Sequence, residues 1–146
     1  MSDIINVHVV VADESRLYFD YLIRNFRHTA KKPERLFFFC YALDKETYAR
    51  YRDSLEVSAC YPIYSRTSSY RRVTWREWQT FLRAQITGVP ALGGSNVHSA
   101  GLNYATQQMP LMKGHHLIAD SDVAVLTRDC DIATDRYFEE FHLIGT

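Results

Sequence analysis

The sequence predicts an α/β protein, a three-layer sandwich in which a mostly parallel central sheet lies between layers of helices. Segments with the length and β-branched content of strands alternate along the chain with segments of helical periodicity. The strand segments are nearly continuous apolar runs, which is typical of parallel strands buried on both faces. A length of 146 residues, 47% of them hydrophobic, predicts one compact domain spanning residues 1–146.

The first predicted strand covers residues 4–12, and its almost unbroken apolar character predicts a central position in the sheet. Asp13, Glu14 and Ser15 follow it and can cap a helix, because short side-chain oxygens accept hydrogen bonds from the free amides of the first turn. The apolar residues that recur at helical spacing after this cap are Leu17, Tyr21, Leu22 and Phe26.

A second strand and helix continue the alternation. Residues 35–42 are predicted to form a buried strand, and Asp44 lies where a second helix opens. The residues predicted to share one face of that helix are Tyr48, Tyr51 and Leu55. Residues 57–64 form a shorter predicted strand that contains Pro62. Because proline donates no hydrogen bond to a sheet ladder, this strand is expected near an edge or is expected to end at the proline.

The second half of the chain opens with a polar segment, residues 65–74, which is predicted to be a loop, and residues 75–86 are predicted to form a short helix. Ser95 can cap a further helix from about residue 97 to residue 109. Residues 115–119 are predicted to form another buried strand, and Asp120-Ser121-Asp122 follow it directly. Because ligands of parallel α/β sheets lie outside the carboxyl ends of the strands, the two aspartates are at the edge where a site is expected.

Charge and composition exclude several classes of partner. Lysine plus arginine and aspartate plus glutamate both number 17, so there is no net charge to hold nucleic acid or an anionic membrane surface.

The N-terminus lacks the features of a signal peptide, and no apolar run approaches the ~20 residues of a membrane span. We therefore expect a cytoplasmic protein with no transmembrane segment. Cys40, Cys60 and Cys130 are widely spaced and are expected to be reduced core thiols.

Asp120 and Asp122 form the most informative motif of the chain. In an extended strand alternate side chains face the same way, so the two carboxylates can serve one cation. Hard carboxylate oxygens suit Mg²⁺ or Mn²⁺, whose remaining ligands are usually water and substrate phosphates, so the predicted partner is a diphosphate. The alternative is that both residues are turn formers, because an aspartate side chain can accept a hydrogen bond from the backbone two residues on.

Two neighbouring segments resemble a known family. Residues 94–105 read GSNVHSAGLNYA and residues 115–126 read HHLIADSDVAVL. Together they are similar to the central block of family 2-like glycosyltransferases of the Rossmann-like GT-A fold, in which a helix precedes a strand that ends in Asp-x-Asp. The resemblance implies transfer of a sugar from a nucleoside-diphosphate sugar, of the UDP or GDP type, to an unknown acceptor. It also implies Mn²⁺ or Mg²⁺ as the cofactor.

The resemblance also implies roles for individual residues. Asp120 and Asp122 would bind the metal, with Asp122 the more direct ligand and Asp120 also in contact with the nucleotide-sugar. Three further residues would lie on the helix that holds the diphosphate or the sugar, namely Ser95, His98 and Asn103. The residues that would approach the nucleoside are Ala12, Asp13, Glu14 and Asp44. For Asp13 and Asp44 helix capping is the alternative role.

The chain departs from this family near its end. GT-A enzymes continue well beyond the Asp-x-Asp strand, whereas this chain ends 24 residues after Asp122, so the acceptor half is expected to be short or missing. The carboxylates in this tail follow too soon to match the family's catalytic base, and none is assigned; they are Asp129, Asp131, Asp135, Glu139 and Glu140. Three alternatives stay open: a fragment of a longer enzyme, a minimal transferase completed by another subunit, and a non-catalytic domain for nucleotide-sugar binding or assembly.

A nucleotidyltransferase is an alternative reading of the same architecture, but residues 12–16 lack the glycine-rich loop that such enzymes carry after the first strand. Apolar residues near the C-terminus are predicted to leave an association surface for a homo-oligomer; they are Tyr137, Phe138, Phe141, Leu143 and Ile144.

Overall fold

The computed structural model describes residues 4–64 and 94–140, together with Gln79 and Ile86. The predicted loop at 65–74 and most of the predicted helix at 75–86 lie outside these residues. The strands are β1 (Ile5–Val11), β2 (Leu36–Ala42), β3 (Ala59–Pro62) and β4 (His115–Ala119). They form one sheet in the order β3-β2-β1-β4, and every neighbouring pair is parallel.

Helices flank this sheet. They are α1 (Arg16–Thr29), α2 (Lys45–Tyr51), α3 (Gly94–Gln108) and α4 (Cys130–Glu140). Short 3-10 turns occupy Asp13–Ser15, Pro33–Arg35 and Met109–Leu111. The α/β class and the parallel sheet are therefore confirmed, and the arrangement is compatible with a Rossmann-like fold. Among the described helices, none has the length and apolar character needed to cross a membrane.

The positions of the strands in the sheet agree with the predictions from the sequence, with one exception. All seven residues of β1 are buried and it lies between β2 and β4, as its apolar run predicts. β3 ends at Pro62 and lies at the edge of the described strands, as predicted. The prediction that β4 is buried is wrong, because it pairs only with β1 among the described strands and Ile118 is 45% exposed.

The core forms two apolar clusters that use alternate residues of β1. Val9 packs with Phe19 and Ile23 of α1, whereas Val10 packs in the other cluster with Ala105 of α3. Successive side chains of a strand point to opposite faces, so both faces of the sheet contribute to the core. Burying this apolar surface is the main stabilising contribution to the fold.

Two predicted helix faces are correct only in part, because Leu22, Phe26 and Tyr51 are buried as predicted but other members of the two sets are exposed. The exposed fractions of Leu17 and Tyr21 are 62% and 60%, and the residues of α1 that face the core are Phe19, Leu22, Ile23 and Phe26. Both sets satisfy helical spacing, and only the position of the helix relative to β1 decides between them. Leu55 is fully exposed because α2 ends at Tyr51, four residues earlier.

Arg35 joins the start of β2 to α4 through two buried carboxylates. Its guanidinium donates to both oxygens of Asp135 at 3.0 and 2.9 Å and lies 3.4 Å from Oδ2 of Asp131. Asp131 also accepts hydrogen bonds from the backbone amides of Lys31 and Lys32. Burial raises the pKa of Asp131, but these backbone hydrogen bonds outweigh burial and hold the pKa below its ordinary value. The two carboxylates are thus part of the structural framework.

Gly101 lies where α3 packs against Val10 of β1. A Cβ atom built on it would lie 2.7 and 2.8 Å from the two γ-carbons of Val10, which is shorter than van der Waals contact. We expect Gly101→Ala to lower the free energy of unfolding by about 1–3 kcal/mol, because overpacking outweighs the gain in helix propensity. Urea unfolding measures this change, and Gln107→Ala, at an exposed position of α3, is the control. An equal or higher urea midpoint for Gly101→Ala contradicts the prediction.

His8 forms a buried polar cluster with its neighbours in the sheet. Its Nδ1 lies 2.7 Å from the Tyr41 hydroxyl and its Nε2 lies 3.0 Å from Nδ1 of His116. The ring also stacks on Phe39. Burial, and to a lesser extent the neighbouring His116, lower the pKa of His8 from 6.5 to about 4.

The lowered pKa of His8 predicts acid sensitivity. The unfolded chain takes up a proton on this residue near pH 6.5, whereas the folded chain does so only near pH 4. We therefore expect the stability to fall as the pH decreases from 6.5 to 4, by roughly 2 kcal/mol from this group. Urea unfolding at pH 7 and pH 4.5 measures the change. His8→Phe should reduce the difference between the two pH values, while His28→Phe, at an exposed position, should leave it unchanged.

Candidate functional site

The carboxyl ends of β1 and β4 lie side by side at a change of direction in the sheet. From β1 the chain passes through α1 to β2 on one side, whereas β4 pairs with β1 on the other side. Ala12 follows β1 and Asp120 follows β4. Ligands of open parallel sheets bind in the crevice at such a switch point, so this edge is the expected location of a site.

A pocket of about 460 Å³ occupies this crevice. Its lining includes five of the residues that the sequence predicts, namely Ala12, Glu14, His98, Asp120 and Asp122. The volume lies within the range of small-molecule sites. The turn after β1, the helix α3 and the Asp-x-Asp motif, which are far apart in the sequence, therefore meet around one cavity.

The turn after β1 is closed by Ser15. Its hydroxyl accepts a hydrogen bond from the Ala12 amide at 3.0 Å and donates to the Ala12 carbonyl at 3.1 Å. The Ser15 amide also donates to that carbonyl at 3.0 Å. These bonds fix the backbone between β1 and α1, and Glu14 lies in this turn with an exposed side chain beside the pocket.

The Asp-x-Asp motif forms a turn that is closed by a hydrogen bond between two backbone groups. The Val123 amide donates to the carbonyl oxygen of Asp120 at 3.3 Å, and the Asp120 carboxylate takes no part in this bond. One carboxylate oxygen of Asp120 lies 3.5 Å from Nε2 of His98 on α3. Asp120 and Asp122 are both exposed at the pocket. The motif is therefore a turn whose carboxylates can still meet a ligand.

Three predicted site residues do not belong to the described lining of the pocket. Asp13 forms an ion pair with Arg16, and Asp44 caps α2 by accepting hydrogen bonds from the Thr47 amide at 2.7 Å and hydroxyl at 2.9 Å. Capping is thus the role that the structure gives Asp44. Asn103 is exposed on α3, away from the pocket lining. The structure describes only the backbone of Ser95, which lies in the first turn of α3 because this helix begins at Gly94, before the predicted start.

The pocket includes residues that sequence reasoning did not assign to it. They are Val10, Ser15, Tyr18, Leu43 and Ser121. Tyr18 had a usable signal, since it lies in the first turn of the helix that follows a central strand. Its exposed fraction is 56%, and its ring therefore offers a flat surface at the pocket. Leu43 follows β2 and lies next to Asp44. The prediction therefore identified the correct strand end but named Asp44, whereas the adjacent Leu43 lines the pocket.

Asn25 of α1 holds the segment that follows the Asp-x-Asp motif. Its side-chain oxygen accepts a hydrogen bond from the Val125 amide at 2.6 Å, and its nitrogen donates to the Val125 carbonyl at 3.1 Å. Farther along, the Asp129 amide donates to the Thr29 carbonyl at 2.7 Å. The backbone from Asp122 to α4 is therefore attached to α1, which limits how far the motif can move.

We expect Asn25→Asp to loosen this segment. The carboxylate still accepts from the Val125 amide, but it cannot donate to the Val125 carbonyl and faces that oxygen instead, at a cost of about 1–3 kcal/mol. Amide hydrogen exchange at Val125 should become faster than in the parent protein. Gln107→Glu makes the same chemical change at an exposed position and should have no such effect. Unchanged exchange at Val125 would show that the contact does not restrain the segment.

The described lining of the pocket is acidic and favours a cation. Three carboxylates line it, from Glu14, Asp120 and Asp122, together with His98, and its described lining contains no lysine or arginine. Within residues 4–64 and 94–140, no three potential ligands among His, Cys, Asp and Glu are grouped for a metal ion. Two carboxylates nevertheless fit Mg²⁺ or Mn²⁺, because such sites commonly use one or two protein carboxylates while substrate phosphates and water provide the rest.

The site thus joins an acidic crevice, an ordered turn after β1 and a histidine on α3. Comparisons of the chain with protein-family models, curated proteins and solved structures find no match.

Proposed function

We propose that the pocket binds the nucleoside diphosphate of a sugar donor, UDP or GDP in type, together with Mn²⁺ or Mg²⁺ at Asp120 and Asp122, and that the protein is a glycosyltransferase. The proposal includes a GT-A-like three-layer sandwich as the complete architecture. The observation that carries it is the meeting of the Asp-x-Asp turn, the Ala12–Ser15 turn and His98 around one crevice at the switch point of the sheet. This convergence supports the resemblance noted in the sequence.

The acidic lining explains why a cation belongs to the proposal. A diphosphate carries negative charge, and Glu14, Asp120 and Asp122 would repel it without a divalent cation between them. When bound, the cation supplies Lewis-acid neutralisation of the diphosphate that leaves the sugar. Asp120 and Asp122 would hold it, with Asp122 as the more direct ligand. The donor would therefore bind only as a complex with the metal.

The remaining pocket residues would orient the donor. His98 lies within reach of Asp120 and would hold the carboxylate or contact the diphosphate through its ring nitrogens. The ordered turn at Ala12 and Ser15 presents backbone groups and the Glu14 carboxylate, which can accept hydrogen bonds from a ribose or a base. The side chain of Tyr18 can stack on a planar ring. Each contact lies on an element that packing already holds in place.

A second candidate is a domain that binds nucleotide-sugar without transferring it. Sugar transfer with inversion needs a carboxylate base near the acceptor, and Asp131 and Asp135 are committed to Arg35. This pairing removes two carboxylates from the role of base, and it is the observation that keeps the non-catalytic domain as a candidate.

An assay of nucleoside diphosphate release separates the two candidates. The protein is incubated with Mn²⁺ and a panel of UDP-sugars and GDP-sugars, and free UDP or GDP is measured with time. Slow hydrolysis of one donor, absent in Asp122→Asn, supports an enzyme. Binding of the donor without any release, with or without candidate acceptors, supports the non-catalytic candidate. Neither binding nor release of any donor rejects the proposed function.

A further inference from the structure

Cys40 and Cys60 lie opposite each other on neighbouring strands. In the parallel pairing of β2 with β3, Cys40 is the direct partner of Cys60. Both side chains belong to the same apolar cluster, so they project from the same face of the sheet. They differ in exposure, because Cys40 is completely buried and Cys60 is only partly buried. The fold thus brings together two thiols that are 20 residues apart in the sequence.

The spacing of these thiols suits a covalent link. Neighbouring strands lie about 4.7–4.9 Å apart, and the Cα atoms of disulfide-bonded cysteines usually lie about 4.4–6.8 Å apart. The Cβ atoms must approach to about 3.8 Å, which requires a small displacement of one strand. β3 has only four residues, none of them fully buried, and lies at the edge of the described strands, so among these strands it pairs only with β2.

We propose that Cys40 and Cys60 form a dithiol site that oxidants of the peroxide class convert into a disulfide between β2 and β3. This site is separate from the pocket and does not depend on the proposed function.

The order of the steps follows from the exposure of the two thiols. Cys60 is the more accessible, so its sulfur attacks the peroxide O–O bond, forms a sulfenic acid and releases water. The Cys40 sulfur then attacks the Cys60 sulfur, and the hydroxyl leaves as a second water. In total, two thiols and one hydrogen peroxide give one disulfide and two waters, with two electrons passing from sulfur to peroxide. No other reductant or oxidant is needed.

The second step should be the slower one at neutral pH. Burial, together with a hydrogen bond and a charge interaction with Cys60, raises the pKa of the Cys40 thiol, so its nucleophilic thiolate is scarce. Disulfide formation should therefore become faster as the pH rises from 7 to 9. Cys130 serves as an internal comparison, because it lies on α4, is buried and has its sulfur 3.4 Å from the Thr29 hydroxyl.

The experiment treats the full chain with hydrogen peroxide, then unfolds it in urea and blocks the remaining thiols with N-ethylmaleimide. Mass spectrometry should show a product that is about 2 Da lighter before blocking and that carries one maleimide rather than three. Non-reducing peptide mapping should link Cys40 to Cys60. Cys130→Ser should still form the link, with no maleimide added after oxidation, whereas Cys60→Ser should lose it. Circular dichroism verifies that both variants are folded.

Three results overturn the proposal. One is the persistence of three blockable thiols after peroxide treatment at pH 9. Another is accumulation of sulfinic acid on Cys60 with no cross-link, which would show that Cys40 does not reach it. The last is a disulfide that includes Cys130, or one between two chains, since either would show that another pair reacts first.

Discussion

Replacing Asp122 with asparagine is expected to weaken the Mn²⁺-dependent binding of UDP or GDP by roughly 100-fold or more, since even removal of an outer-sphere partner of a metal site costs about 10- to 100-fold. The amide keeps the shape of the side chain but removes the negative charge that holds the cation. Because Asp122 is exposed at the pocket, the substitution should leave the free energy of unfolding almost unchanged. Titration calorimetry with UDP and Mn²⁺ measures the binding.

Asp129→Asn is the matched control for this substitution. Asp129 is also an exposed aspartate on the segment after β4, but it does not line the pocket. Its backbone has a φ of 56°, a conformation that asparagine adopts readily, so the exchange introduces no strain. Nucleotide affinity should be unchanged in Asp129→Asn. Equal losses in the two variants would mean that general charge, and not the Asp122 site, controls binding.

Arg35→Met is expected to lower the free energy of unfolding by about 3–5 kcal/mol. Removing the guanidinium leaves Asp131 and Asp135 buried without their cation, and uncompensated buried charges are among the most destabilising changes in a protein. Urea unfolding at pH 7 measures the change.

Arg52→Met is the control for this second prediction. Arg52 also forms an ion pair, with Asp53, but both side chains are more than half exposed. Exposed ion pairs contribute at most about 1 kcal/mol, so the urea midpoint should change little. A similar midpoint for Arg35→Met and Arg52→Met would contradict the view that the buried pair stabilises the attachment of α4.

The sequence predicts well where local pattern determines structure. The apolar runs predict β1 in the centre of the sheet, and Pro62 predicts the edge position of β3. The Asp-x-Asp motif is predicted at the carboxyl end of β4, where the structure places it. In each case the predicted feature depends only on the burial or the hydrogen bonding of that one segment.

The predictions that fail depend on contacts between distant segments. Leu17 and Phe19 both fit a helical repeat, and only the packing of α1 on the sheet buries Phe19. Ion pairing of Arg35 with residues about 100 positions away is invisible to any local pattern. Asp44 could serve as a cap or as a ligand by its position in the chain, and the structure shows the cap.

We propose that the crevice beside Asp120 and Asp122 is a metal-dependent site for a nucleoside diphosphate. The most direct test is calorimetric titration of UDP and GDP into the protein, each with Mn²⁺ and with the metal removed by a chelator. We expect saturable binding of at least one of the two nucleotides with Mn²⁺ and none without it. Absence of binding in all four titrations, or equal affinity with and without the metal, would contradict it.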